Sequence, residues 1–347
     1  MARVLKVAIC IVTFRRPEGL RRLLRSIAGQ RFQKVRRPEI TVIVVDNDAA
    51  RTARQVCERS RADLALRLIY HHEPAQGIPL ARNAALSRVP ADVDHIAWID
   101  DDEVASKGWL EALMVCLEET GADHATGPVT PLIPERAPDW IVAGGFFERC
   151  NLPDRAEVRS VATNNVLMSA EAWRRSGLHF DERLRFTGSS DTLFFLNGRR
   201  FGWQTRWAAQ AVVFEIEPPA RLTARWIIAR QFRTGNGLAV CDRIANRNLA
   251  SLLVRTGKIL IYVAAGLAEL LMSPFGGRVT AVRGLGKLAR AAGTIWGLLG
   301  HRFEAYAPRR VAAERELPRG EVVAFPKPRA TATTSSEIRR QGRSLDR

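Results

Sequence analysis

The sequence predicts an α/β protein: a mainly parallel, Rossmann-like sheet flanked by helices, with a basic helical extension toward the C-terminus. Three observations carry this. Short apolar runs recur at residues 7–13, 40–45, 66–70 and 95–99, with Arg67 their one lysine, arginine or acid. Runs of that length read as strands buried on both faces. Segments with apolar residues at helical spacing lie between them, so strand and helix alternate. Several of the strands close on polar residues: Thr13, Asp46 and Asp100–Asp102. In an open α/β sheet these ends share the carboxyl edge, where ligands bind.

The elements follow in order. Residues 7–13 (Val-Ala-Ile-Cys-Ile-Val-Thr) form the first strand. Phe14-Arg15-Arg16-Pro17-Glu18 breaks it, and Pro17 suits the first turn of a helix. Leu20, Leu23, Leu24 and Ile27 then mark that helix's buried face, with arginines opposite. A second strand at 40–45 closes on Asp46-Asn47-Asp48. A helix at 51–61 and a third strand at 66–70 follow. Gln76-Gly77-Ile78-Pro79 is a loop before a helix at 80–87. The fourth strand at 95–99 precedes a helix at 109–119. From about 127 to 220 the prolines at 128, 131, 134, 138 and 153 mark loops and an irregular crossover. Strands are expected at 164–168 and within 204–215, and helices from 170 and at 192–200.

The fourth strand ends in Asp100-Asp101-Asp102-Glu103. Four crowded carboxylates repel one another unless a cation sits among them. Mg²⁺ or Mn²⁺ suits such oxygen ligands and commonly also contacts substrate phosphates. The bland alternative is a solvated acidic turn before a helix, with Glu103 favouring that helix's N-terminus.

The chain has 347 residues and a formal net charge of +17. That balance favours a polyanionic partner: nucleic acid, anionic lipid headgroups or phosphorylated substrates. No zinc-finger spacing or RNA-binding signature is present, so nucleic acid is not expected. The five cysteines are scattered, without a Cys-x-x-Cys pair, and read as reduced thiols of a cytosolic chain. No signal peptide is expected, because residues 1–6 run straight into the first strand. Residues 252–272 are mostly apolar but interrupted by Arg255, Lys258 and Glu269. They could be a buried helix, an interfacial helix or a poor span. A second basic, apolar helix follows at 279–299. Cationic amphipathic helices of this kind suit an anionic membrane surface. Beyond 307 the composition is that of a disordered tail.

These motifs together resemble a family 2 glycosyltransferase of the bacterial exopolysaccharide type, similar to the succinoglycan glucosyltransferases. The residues that carry the resemblance are 7–17, Val44-Val45-Asp46-Asn47, Gly77-Ile78-Pro79-Leu80-Ala81-Arg82-Asn83 and Ile99 to Glu103. Later come Gly188-Ser189-Ser190-Asp191, Glu215-Ile216-Glu217-Pro218, Arg221 and Arg230-Gln231-Phe232-Arg233-Thr234-Gly235. The resemblance covers about residues 5 to 240. It implies the GT-A fold, a nucleotide-sugar donor, usually a divalent metal, and inversion at the anomeric centre. Residues 1–240 would form the catalytic domain, with a nucleotide-binding half of about 1–125 and an acceptor half of about 126–240. Residues 241–306 would be a helical, membrane-associating segment and 307–347 a basic tail.

Roles follow from the resemblance. Thr13 and Arg15 would contact the nucleotide, Asp46 the base and Arg82 the diphosphate. Asp100, with Asp101 beside it, would hold the ribose or sugar, and Asp102 the Mg²⁺ or Mn²⁺. Asp191 would be the general base, with Asp181 as runner-up. Ser190 stands where the family commonly has a Glu. Glu215 and Glu217 stand where it often has a metal-binding His, and neither is assigned. Asn83 is a helper or a helix residue. His71 and His72 are structural. Arg230 and Arg233 hold phosphates or form a solvated basic face. The expected reaction moves a hexose, glucose by the resemblance, from a UDP-sugar to a hydroxyl of a polyprenyl-diphosphate-linked saccharide, at the cytoplasmic face of the plasma membrane. The alternatives are a nucleotidyltransferase, which would normally carry a lysine-bearing phosphate loop, and a non-catalytic nucleotide-sugar-binding protein.

Overall fold

The computed structural model describes residues 3–149, 151–245 and 249–308. Most of the expected tail therefore lies outside the described residues. Strand β1 (Lys6–Thr13) shows why its sequence is apolar throughout. Val7, Ile9 and Ile11 enter one core layer, while Ala8 and Cys10 enter the other. All five are fully buried, so neither face tolerates charge before the strand ends.

Helix α1 (Pro17–Ala28) starts on the proline and buries Leu20, Leu23, Leu24 and Ile27. Then come β2 (Glu39–Asp46), α2 (Arg54–Leu64), β3 (Arg67–His72), α3 (Ile78–Leu86) and β4 (His95–Ile99). The next elements are β5 (Glu103–Ala105), α4 (Trp109–Thr120), β6 (His124–Thr126), β7 (Val129–Leu132) and α5 (Asp139–Gly144). They are followed by β8 (Asn165–Ser169), α6 (Ala170–Ser176), α7 (Ser190–Gly198), β9 (Thr205–Trp207) and β10 (Val213–Ile216). Two long helices, α8 (Ala224–Ala245) and α9 (Leu249–Leu298), close the described chain.

The main sheet has the order β3-β2-β1-β4-β8-β6-β9. β8 runs antiparallel to β4 and β6, and the other pairings are parallel. A second, three-stranded sheet has the order β5-β10-β7. Helices α1 and α4 cover one face of the main sheet, with Leu24, Trp109 and Leu113 against Ile9, Ile11 and Ile99. Helices α3 and α7 cover the other, with Ala81, Ala85 and Phe194 against Cys10, Ile96 and Trp98.

Four details differ from the sequence expectations. β3 continues to His72, so His71 and His72 are strand residues. α2 starts at Arg54 because the chain first turns to donate the Ala53 N–H to the Asp46 carboxylate, at 2.8 Å. α3 starts at Ile78, since Pro79 fits its first turn, where no N–H is required. The acids after β4 lead into strand β5 rather than directly into a helix. Three residues are too few to carry a period.

Asn165 locks this second sheet to the first. Its Oδ1 accepts from the Trp109 indole at 2.8 Å, and its Nδ2 donates to the Pro128 and Ala211 carbonyls at 3.1 and 2.7 Å. Asn165 is 1% exposed and pairs with Ile99, the residue before the acids. Truncation would strand a buried N–H and two carbonyls. Asn165→Ala is expected to lower stability by about 3 kcal/mol, read as a shift in urea midpoint at unchanged slope.

Candidate functional site

The strand ends meet as the register requires. Thr13 lies opposite Asp46 across β1 and β2. On the other side of β1, the Thr13 hydroxyl donates to Asp101 Oδ2 at 2.7 Å. Arg16 Nη1 spans the next two acids, 3.0 Å from Asp101 Oδ1 and 2.9 Å from Asp102 Oδ2. Gly19 lets α1 come this close: a Cβ there would lie 2.5 Å from the Asp101 carbonyl oxygen.

The second sheet forms the facing wall. β5 and β10 run antiparallel with Glu103 opposite Glu215. Glu103 is buried, and its carboxylate accepts from the Asp100 N–H at 3.0 Å. Burial, with Asp100 and Glu215 nearby, pushes the Glu103 carboxyl well above the usual range. Arg221 gathers the remaining charge. Its Nη1 donates to Glu215 and Glu217 at 3.1 and 3.2 Å, and its Nη2 lies 3.5 Å from Asp102 Oδ2. Arg149 also pairs with Glu215. Arg221 and Arg230 stack on the Trp226 ring at 5.5 and 5.3 Å.

The third part of the site is the start of α7. Gly188 and Ser189 both have positive φ, 78° and 62°, and turn the chain into the helix. Asp191 lies in its first turn and accepts from the Thr192 N–H at 2.8 Å. Arg82, on α3, donates to the Ser190 hydroxyl at 2.9 Å, lies 4.0 Å from Asp191 Oδ2, and covers the Phe180 ring at 5.4 Å. Burial, then the like charge of Asp102, raises the Asp100 carboxyl to about 7, and Arg82 pulls it the other way.

Thr13, Asp101 and Asp102 thus fall into one bonded group with Asp100 beside them, while Arg82, which approaches Asp191, reaches them through its charge on Asp100. Asp46 and Arg15 behave differently. Asp46 is fully buried, and its oxygens accept from the Asp48 and Ala53 N–H groups and the Tyr70 hydroxyl. These three donors leave Asp46 Oδ1 with room for one more, but a base contact needs this buried carboxylate uncovered. Arg15 donates to Asp48 at 3.1 Å and stacks on Phe14. Asp181 pairs with Arg183 and caps a short 3₁₀ turn. Asn83 ties α3 to the 180–182 loop through the Phe180 backbone and Glu182. Arg233 donates to the Tyr306 hydroxyl at 3.4 Å.

Sequence reasoning missed Arg16 and Gly19 as site-building residues, read Glu103 only as one of the four crowded acids, and gave Arg221 no role. Asn47, read only as part of a motif, braces the 73–77 loop by accepting from Gly77 N–H and donating to the Glu73 and Ala75 carbonyls. The adjacent Arg-Pro at the strand end was the available signal for Arg16.

Among the described residues no group of three or more His, Cys, Asp or Glu is arranged as a metal cage. A dication held by one or two carboxylates and completed by donor phosphates needs no such cage. Asp102, with Asp100 beside it, fits that mode. Burial is the first cause of the raised Asp100 carboxyl and the like charge of Asp102 the second; a dication there would offset the second.

Known proteins resemble this chain in sequence and in fold. The profile described as Glycosyl transferase family 2 matches residues 8–174. Succinoglycan biosynthesis protein ExoM of Rhizobium meliloti (strain 1021) is 34% identical over 231 residues, covering 67% of this chain and 73% of ExoM. The mannosyltransferase PcManGT of Pyrobaculum calidifontis, solved with GDP-Man and Mn²⁺, superposes with a TM-score of 0.56 at 16% identity, covering 85% of this chain and 88% of that one. That likeness is one of fold. S. aureus TarS matches with a TM-score of 0.49 at 17% identity, over 85% of this chain and 54% of its own, so the chain spans about half of TarS.

The Asp100 shift has a thermodynamic sign. A carboxyl raised in the folded state binds more protons there than in the unfolded chain. Stability therefore falls as pH rises from the ordinary carboxylate value to about 7. Asp100→Asn removes that titration. The variant is expected to gain about 2 kcal/mol more over the parent at pH 8 than at pH 5, measured by urea unfolding. An equal gain at both pH values would show Asp100 already ionised at pH 5.

Proposed function

Because the chain belongs to the family 2 glycosyltransferases, we propose that it is an inverting hexosyltransferase of exopolysaccharide synthesis, using a UDP-sugar donor. The likeness to ExoM, a succinoglycan biosynthesis protein, supports the pathway class. The moved sugar is glucose on the motif resemblance. The acceptor is a hydroxyl of a polyprenyl-diphosphate-linked saccharide, met at the cytoplasmic face of the membrane. Residues 1–125 bind the donor, 126–240 the acceptor, and 241–306 associate with the membrane.

The observation that supports this reading is the position of Arg82. One guanidinium touches Ser190, approaches Asp191 and opposes the rise of the Asp100 carboxyl. A donor diphosphate beside Arg82 would put its sugar between the acid turn and Asp191. Asp191 then takes the proton from the acceptor hydroxyl as that oxygen attacks the anomeric carbon. The bond from that carbon to the diphosphate oxygen breaks on the opposite side, so configuration inverts. Arg82 meets the charge growing on the departing diphosphate by charge-assisted hydrogen bonds. Thr13 and Arg16 hold Asp101 and Asp102 in place, and Arg221 steadies Asp102 from the second sheet. Asp102 would hold Mg²⁺ or Mn²⁺, which when bound neutralises the leaving diphosphate as a Lewis acid.

Two measurements test the proposal. A screen of UDP-sugars with and without Mn²⁺ is expected to find one whose hydrolysis depends on the metal. Asp191→Asn is expected to lower transfer 10²–10⁴-fold while calorimetry shows unchanged UDP binding. Nucleotide binding without turnover on any donor or acceptor would favour a binding protein instead. Full activity in Asp191→Asn would move the base elsewhere.

A further inference from the structure

Helix α9 is two helices. Gly277, at φ 65° and ψ −157°, breaks it three residues after Pro274. The arms, residues 249–276 and 278–298, fold back on each other. Gly266 and Gly284 meet there: a Cβ on either would come within 3.0 Å of the other's carbonyl oxygen. Lys287 pairs with Glu269 at 2.6 Å, and Arg290 stacks on Tyr262 at 5.2 Å. The second arm packs on α8, with Gly293 against the Phe232 backbone and Gly297 against Asn236. Its Val282 shares a core with Ile141, Phe147, Leu222 and Ile227.

The first arm is therefore inverted relative to an ordinary surface helix. Two of its three charges turn inward, Arg255 onto Asp242 and Glu269 onto Lys287, and Lys258 is half-buried. No charged residue among 252–276 is exposed. Its outer stripe consists of Leu253, Leu260, Leu267, Leu271 and Phe275, which are 63%, 65%, 51%, 78% and 86% exposed. These residues recur at helical spacing over about 33 Å of helix. A face of this size without a single charge marks an interaction surface. The surroundings are basic: Glu269 is the sole acid among residues 252–302, and the chain carries +17. That charge opposes docking on a second copy and favours an anionic surface.

We propose that the outer face of the first arm of α9 lies in the plane of an anionic lipid bilayer, as a monotopic helix seated on α8 and the second arm. The arm does not cross the membrane. A crossing helix would have to leave its partners and carry Arg255, Lys258 and Glu269 into hydrocarbon. Lying flat, it keeps every ion pair and buries only the apolar stripe. This deepens the membrane part of the function proposed above and rests on it.

Flotation of the full chain with sealed phosphatidylglycerol–phosphatidylcholine vesicles tests it, with phosphatidylcholine vesicles as control. The parent is expected to float with the anionic vesicles. Leu260→Glu/Leu267→Glu/Phe275→Glu is expected to lose at least tenfold in partitioning, with circular dichroism and UDP-sugar hydrolysis unchanged. Leu267→Lys adds a positive charge while breaking the apolar face and is expected to lose partitioning to a smaller extent, so a folding defect in the triple variant does not decide the matter. A parent that ignores all vesicles sinks the membrane reading itself. A parent that floats while the triple variant floats equally well overturns this assignment alone. Two other results also overturn it. One is a lipid-free parent dimer that the triple variant dissociates. The other is labelling of Phe275→Cys by an impermeant maleimide trapped inside the vesicles, which marks a crossing helix.

Discussion

Mutual repulsion among carboxylates is the constraint on which the rest of this structure turns. Asp100, Asp101, Asp102, Glu103 and Glu215 crowd one sheet edge, several of them out of water. No pair of them is favourable alone. Four of them are made tolerable by shared devices: a hydroxyl from Thr13, a guanidinium from Arg16, a second from Arg221 and, for Glu103, the Asp100 backbone N–H. The sheet order meets this need. β1 must lie beside β4 to bring Thr13 to Asp101, and β10 must return beside β5 to bring Arg221's partners. Such charge density is stabilising only toward a cationic or strongly hydrogen-bonding ligand.

The parallel half of the fold was legible because both faces of its strands are buried. β1, β2 and β4 show as unbroken apolar runs, and the polar residues that end them mark the edge. The second sheet was not legible. β5 and β7 are three and four residues long, and they take their identity from pairing with β10, more than 80 residues away. Asp101 and Asp102 were readable as a group, but not their distinct partners. Arg16 and Arg221 reach them by tertiary contact alone. Asp46 shows the converse. The strand-end position suggests an open carboxylate, whereas the fold buries it among three local donors.

Helix α8 joins the two regions that sequence reasoning kept apart at residue 240, which falls inside it. Its first turns carry Trp226 and Arg230 beside Arg221, Glu215 and Glu217. Farther along, Gly237 abuts Ser189 so closely that a Cβ would come within 2.2 Å of the hydroxyl, and the Cys241 thiol donates to the Ser189 carbonyl. After α9 the chain returns, and the Tyr306 N–H donates to the Phe186 carbonyl at 2.9 Å. The turn that presents Asp191 is thus clasped by the helices behind it.

Gly19 acts on the acids without carrying any charge. Hydrogen is the largest substituent that the gap to the Asp101 carbonyl admits. Helix α1 therefore works as a shim whose thickness sets the height of the acidic turn above the sheet. A methyl group at this one position would tilt the helix or lift the turn. Either movement would detune the carboxylates while every one of their side chains stayed chemically intact.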